Sequence, residues 1–183
     1  MIIQEVYIRI GSQNKKAKIM VFNDNDRVIF RRIYSNWLRL RQQYKIFHSR
    51  APNFPEIVSE GLFCLDMGAA RVISINKAKK CDTIDLTNHR RQQIKAFSGL
   101  VDLTSFGPSS IYDDFYFMDF YRGGNFNGKY AIYKIPNNLI SVAQVNRSQT
   151  LSQQQRQQRR PHISLVNRII KPNRIRPIIV NKI

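Results

Sequence analysis

The residues best equipped for chemistry lie between positions 80 and 96: the run KCDTIDL, a polar turn at 87–91, then QQIKA. Two short strands joined by that turn set an acidic residue at the start of the first, Asp82, beside alternate residues of the second. Residues two apart in a strand share a face, so Gln93 and Lys95 project together toward Asp82. Carboxylate and amide oxygens so arranged suit a hard cation such as Mg²⁺, and an ammonium beside them orients or activates an attacking water. That is the equipment of a metal-dependent phosphodiesterase. Glu56 and Glu60 stand four apart on a predicted helix and therefore on one face, from which Glu60 can approach the same cation. Each reading has a plain alternative. Any polar hairpin supplies an Asp followed by Gln-x-Lys, and paired helix glutamates are often simply solvated.

The elements that would position these residues follow from periodicity. Apolar residues alternate at Val6, Ile8 and Ile10 and again around Ile19 and Val21, with a polar segment at 11–16 between them, which predicts a hairpin. From Asp26 the period lengthens. Phe30, Ile33, Tyr34, Trp37, Leu38, Tyr44 and Phe47 recur at helical spacing, with Asp24 or Asp26 as the cap and an end near His48. The outer face of this helix carries Arg31, Arg32, Arg39, Arg41 and Lys45, a phosphate-contacting or merely solvated surface. The segment APNFP at 51–55 breaks it, and Pro55 suits the first turn of a second helix over about 56–67. β-like runs follow at 70–75, 83–86, 92–97, 114–121 and 129–135. Helix followed by closely spaced strands predicts an α/β or α+β fold, a mixed central sheet flanked by helices. Residues 1–145 read as the core domain. Residues 146–160, NRSQTLSQQQRQQRR, read as a polar linker or mobile loop, and 162–183 as a C-terminal extension apolar enough to dock on the same domain or on DNA.

With 183 residues, 43% apolar and 11% aromatic, the chain is long enough for one conventional core. Thirty Lys and Arg against twelve Asp and Glu give a formal charge of +18, which excludes an ordinary neutral metabolic enzyme and points to a polyanion, nucleic acid first. All twelve acidic residues fall within the first 119 positions, beside eighteen basic ones; the remaining 64 hold twelve basic residues and no acid. Such a segment resembles a nucleic-acid arm or face, the alternative being a solubilising tail. No run approaches the ~18 apolar residues of a membrane span, and the opening MIIQEVYIRI lacks the features of a signal peptide, so a soluble intracellular protein is expected. Cys64 and Cys81 form no CxxC pair and lie near no His pair; both are expected to be reduced and structural.

In order along the chain, NFPEIVSEGLFCL (53–65), CDTIDL (81–86), QIKAFS (93–98), DLTSFGP (102–108) and the aromatic strand after them resemble the short type II restriction endonucleases of the PD-(D/E)XK nuclease superfamily. Within these, the chain is most similar to a small family that cuts interrupted GC-rich sites of the GCNGC kind. The resemblance runs over about residues 34–135 and leaves the acid-free C-terminal part uncovered. It implies a restriction-endonuclease-like core and Mg²⁺-dependent, sequence-specific hydrolysis of double-stranded DNA to 5′-phosphate ends, in the cytoplasm of a prokaryote. A homodimer for symmetric sites and a cognate DNA methyltransferase that protects the host genome are implied with it. Asp82 matches the motif's first acid, although Cys81 replaces the proline before it. Gln93 matches the (D/E) position, Lys95 the lysine, and Glu60 the additional glutamate of the preceding helix. Gln93 keeps a carbonyl oxygen but removes a negative charge, so metal affinity should lean on Asp82 and Glu60. Asp85 is the reserve ligand: it lies on the opposite strand face from Asp82 unless a bulge brings it in.

Base reading requires side chains that reach base edges, Arg to guanine and Asn or Gln to adenine being the commonest pairs. The candidate carriers are Ser98, Thr104 and Ser105 in the loop at 98–108, Arg122, Asn125 and Lys129 in RGGNFNGK (122–129), and Arg147 at the head of the Gln/Arg-rich stretch. Two other functions share these features. A structure-specific nuclease of the same superfamily, acting on Holliday junctions or in repair, would use the same site and ignore base sequence. A catalytically dead basic DNA-binding protein would carry Gln93 as the mark of a lost site.

Overall fold

The computed structural model describes residues 1–10, 12–76, 81–97, 103–108 and 111–183. Its contacts divide the chain into two compact units, Met1–His89 with Lys182–Ile183, and Arg90–Asn181.

The first unit opens with a long hairpin. Strands β1 (Ile2–Ile10) and β2 (Gln13–Val21) pair antiparallel from Ile2↔Val21 to Ile10↔Gln13. The reversal is therefore much tighter than the polar run at 11–16 suggests. Residues 13–16 are extended, their polar side chains are largely exposed, and Lys16 Nζ lies 2.6 Å from Glu5 on the facing strand. β2 pairs antiparallel with β3 (Ala69–Ile75), with an irregularity between Lys18 and Ile19, and β3 pairs antiparallel with β4 (Thr83–Asp85). Ile8, Ala17, Ile19, Ala70, Val72, Cys81 and Ile84 form one buried cluster on these strands.

Two helices complete this unit, α1 (Asp26–Ile46) and α2 (Glu56–Met67), the second packed along β3 and β4. α1 buries Phe30, Tyr34 and Trp37, the i, i+4, i+7 stripe. The expected stripe is longer than the packed one: Tyr44 and Phe47 are 40% and 78% exposed. Its N-cap is Asn25, and Asp26, in the first turn, accepts from the Asn23 amide at 2.9 Å and pairs with the Met1 ammonium. The proline-containing connector folds back on the helix: Phe54 meets Trp37 edge to face at 5.0 Å, and Trp37 Nε1 donates to the Pro52 carbonyl at 3.1 Å. Pro55 serves as the N-cap of α2, and Gly68 ends it in the left-handed conformation (φ +64) that glycine adopts without strain. Arg27 and Asp66, 2.7 Å apart, tie α1 to α2.

The second unit is built on a mixed sheet. Strands β5 (Arg91–Phe97), β6 (Thr104–Ser105), β7 (Asp114–Asp119) and β8 (Lys129–Ile135) follow in order. β5 and β7 are parallel, Gln92↔Asp114 to Phe97↔Asp119, and β7 and β8 antiparallel, Phe115↔Ile135 to Asp119↔Ala131. The short helices α3 (Asn137–Val142) and α4 (Leu151–Arg156) come next, then β9 (His162–Ile163), which pairs with β6, a π-helical turn at Val166–Ile170, and β10 (Ile179–Lys182) beside β8. Where the sequence suggests a polar linker, α4 forms. A capping box starts it, Thr150 Oγ1 accepting from the Gln153 amide while Gln153 Oε1 accepts from the Thr150 amide, and Leu151 is buried. Leu151, Ile163, Leu165, Ile169 and Ile170 share one buried cluster with Phe106, Phe115, Phe117 and Ile135. The fold is α+β, with a mixed sheet and flanking helices, as expected. Cys64 and Cys81 are both buried. Among the described residues no helix is long and apolar enough to cross a membrane.

Candidate active site

The candidate carboxylates Glu60 and Asp82 belong to the first unit. α2 is apolar over most of its buried face, and Glu60 sits in that face, 8% exposed. An ionised carboxylate there needs a partner, and Arg71 of β3 supplies it: Nε donates to Glu60 Oε2 at 2.5 Å while Nη2 donates to Glu56 Oε1 at 3.0 Å. Burial, followed by the negative charge of Asp82, pushes the Glu60 carboxyl up to about 7 against the opposing pull of Arg71. Glu60 and Asp82 are thus electrostatic neighbours. Asp82 stands just before β4, its backbone held to β3 by a 2.9 Å bond from the Val72 amide to the Asp82 carbonyl.

Asp85, the reserve ligand, serves the turn after β4. Its Oδ1 accepts from the amides of Thr87 at 2.7 Å and Asn88 at 3.2 Å. Most other described acids are similarly engaged. Asp113 pairs with Arg91 and Asp114 with Arg90 and Lys134, at 2.6 to 2.9 Å, and Asp119 Oδ1 accepts from the Tyr121 amide.

The candidates Gln93 and Lys95 belong to the second unit. Strand alternation puts Gln93 and Lys95 on one face of β5, half-buried, and the buried Gln92 and Ile94 on the other. The Arg90 and Arg91 pairs with Asp114 and Asp113 anchor the start of β5 beside the start of β7, which fixes the register that carries Gln93 and Lys95.

Glu60 and Asp82 present oxygen donors alone, and two carboxylates close enough to raise one pKa gain from a cation between them. That donor chemistry fits a hard divalent ion. Among the described residues no group of three or more His, Cys, Asp or Glu could hold a metal ion.

The family model described as Bsp6I restriction endonuclease matches residues 22–172. The type II restriction enzyme Bsp6I of Bacillus sp. (strain RFL6) is 35% identical over 148 residues, 79% of this chain and 81% of that one. The chain belongs to the Bsp6I restriction endonuclease family. No solved structure matches it. The family match includes Glu60, Asp82, Gln93 and Lys95 and extends beyond α4 and β9, so it takes in much of the acid-free segment that the sequence resemblance left uncovered.

The residues expected to read DNA are spread over the second unit. Ser98 lies outside the described residues. Thr104 and Ser105 form β6, and Ser105 Oγ is buried without a hydrogen-bond partner among the described residues. Arg122 sits in a 3₁₀ turn leading to Gly123 and Gly124, both at positive φ, with Asn125 and Lys129 exposed beyond it. Arg147 is exposed on the turn between α3 and α4. Sequence reasoning missed Arg71. The available signal was an arginine inside the mostly apolar strand AARVISI, where a buried guanidinium calls for an acid nearby.

Proposed function

We propose that the chain is a type II restriction endonuclease that cuts both strands of duplex DNA at an interrupted GC-rich site of the GCNGC kind, with Mg²⁺ as cofactor and 5′-phosphate ends as products. The observation that carries this reading is the buried Glu60 carboxylate with the charge of half-buried Asp82 acting on it, in a member of a restriction endonuclease family. Asp82 and Glu60 hold the cation, with the Gln93 carbonyl oxygen as a neutral donor. Mg²⁺, when bound, supplies Lewis acidity and a more acidic coordinated water. Lys95 places its ammonium beside the attacking oxygen and the scissile phosphate, where a compact positive charge stabilises developing negative charge. Arg71 holds the Glu60 carboxylate in one orientation. A homodimer acts on the two half-sites, and a methyltransferase of matching specificity protects the host DNA.

The test is digestion of unmethylated phage and plasmid DNA in Mg²⁺ and in EDTA, with sequencing of the fragment ends. Discrete Mg²⁺-dependent fragments are expected from the wild-type chain and none from Lys95→Ala, which should retain DNA binding. Cleavage by Lys95→Ala at the wild-type rate would remove its assignment. Cutting confined to branched DNA would favour a junction or repair nuclease, and salt-sensitive binding without cleavage of any substrate would leave a DNA-binding protein with a lost site.

A further inference from the structure

Two adjoining depressions open on the second unit, away from Gln93 and Lys95 in sequence and sharing Gln144 and Arg168 as common lining. The first is walled by Leu139, Val142 and Ala143 of the α3 region on one side and by Pro172 and Asn173 on the other. The second continues along Asn146 to Arg147. The joint lining thus combines apolar side chains, Val142 being 62% exposed, with two guanidiniums in a stretch that contains no acid.

Both arginines stand on backbone that is already fixed. Arg147 rides a turn in which Asn146 Oδ1 accepts from the Ser148 amide at 3.0 Å and the Gln149 amide at 2.9 Å. Arg168 lies in the π-helical turn anchored by buried Ile169 and Ile170, and Asn173 Nδ2 closes that turn on the Ile169 carbonyl at 2.8 Å. Within the chain Asn146 Oδ1 accepts from the turn amides, Asn167 Oδ1 accepts from Lys171 Nζ at 3.1 Å, and Asn173 Nδ2 donates to the Ile169 carbonyl. Apolar wall next to paired cations matches the alternation of sugar and phosphate along a nucleic-acid strand.

We propose that this double depression is an anchor for the sugar–phosphate backbone of duplex DNA, with Arg147 and Arg168 on adjacent phosphates and the apolar lining, Leu139, Val142 and Pro172, against deoxyribose. It rests on the DNA-cleaving reading above and adds to it a sequence-independent contact apart from the residues proposed for chemistry. Because phosphate is recognised here as charge, lysine can replace arginine; a bidentate guanidinium contact to guanine would be weakened by that exchange.

The experiment measures binding of the full chain to a duplex of random sequence by fluorescence anisotropy over a salt series in EDTA. Each phosphate contact contributes about 0.9 to the slope of log K against log salt, so Arg147→Ala/Arg168→Ala should lower that slope by about 2 and weaken binding. Arg147→Lys/Arg168→Lys should keep it, and fragment ends cut by either variant should retain the wild-type sequence. An unchanged slope in the alanine pair overturns the anchor. So does loss of site preference in the lysine pair, which would assign base reading instead, and so does absence of DNA binding by the wild-type chain. A wild-type chain that cuts nothing while showing these slopes overturns the nuclease reading and leaves the anchor standing.

Discussion

At the scale of single residues, Glu60 makes the sharpest claim. Its carboxyl is raised from 4.5 to about 7, first by burial and then by Asp82. Between those two values the folded chain keeps a proton that the unfolded chain has lost, so this group makes stability fall as pH rises from about 4.5 to 7. The ceiling is about 3 kcal/mol at 1.36 kcal/mol per unit. Urea unfolding at pH 5 and pH 8 should therefore show a larger difference for wild type than for Glu60→Gln, and equal differences would deny that a buried carboxylate titrates here. Asp82→Asn removes the second cause, so a ¹³C titration of the Glu60 carboxyl should move back toward 4.5. A cation shared by the two carboxylates adds one more expectation: Mg²⁺ at pH 8 raises the melting temperature of wild type but not of Asp82→Asn.

At the scale of elements, the placement of Glu60 depends on how closely α1 lies against α2. A Cβ built on Gly61 would stand 2.2 Å from Phe30 Cζ, and Phe30 is only 2% exposed. Alanine gains about 1 kcal/mol of helix propensity over glycine, yet overpacking a filled site costs about 1–3 kcal/mol. Gly61→Ala should thus destabilise by about 1 kcal/mol, whereas Phe30→Leu/Gly61→Ala should recover most of it, a coupling read from denaturation of the two single variants and the double. A more stable Gly61→Ala would mean that the ring swings aside freely. The same elements show what sequence alone makes legible. α1, α2, β3, β5, β7 and β8 carry apolar periods long enough to be read locally, and Asp82, Gln93, Lys95 and Glu60, the residues proposed for the site, are candidates by residue type and spacing. β6, β9 and β10 are two to four residues long and exist through partners distant in sequence, while α4 hides one buried leucine in a glutamine-rich run. Arg71 escaped notice because its meaning depends on two glutamates that folding, not sequence, brings to it.

At the scale of the whole molecule, the net charge of +18 and the acid-free last third invite the picture of a core with a basic arm. The buried cluster contradicts a dispensable arm, since Leu151, Ile163, Leu165, Ile169 and Ile170 pack in the same core as Phe115 and Phe117 of β7. Burying one such aliphatic side chain is worth about 1.5–3 kcal/mol. Losing five at once removes roughly the 5–15 kcal/mol that holds a typical domain together. A chain ending at Val145 should accordingly lose the cooperative unfolding of its second unit, with hydrogen exchange at the β7 amides approaching that of an unfolded segment. The β1–β3 amides, supported by their own cluster in the first unit, should keep more protection. If the segment were only an electrostatic arm, the truncated chain would retain slow exchange in β7 and lose only salt-dependent affinity for DNA. The basic last third therefore has to do two jobs at once, its aliphatic residues completing the core while its arginines remain outside for the polyanion.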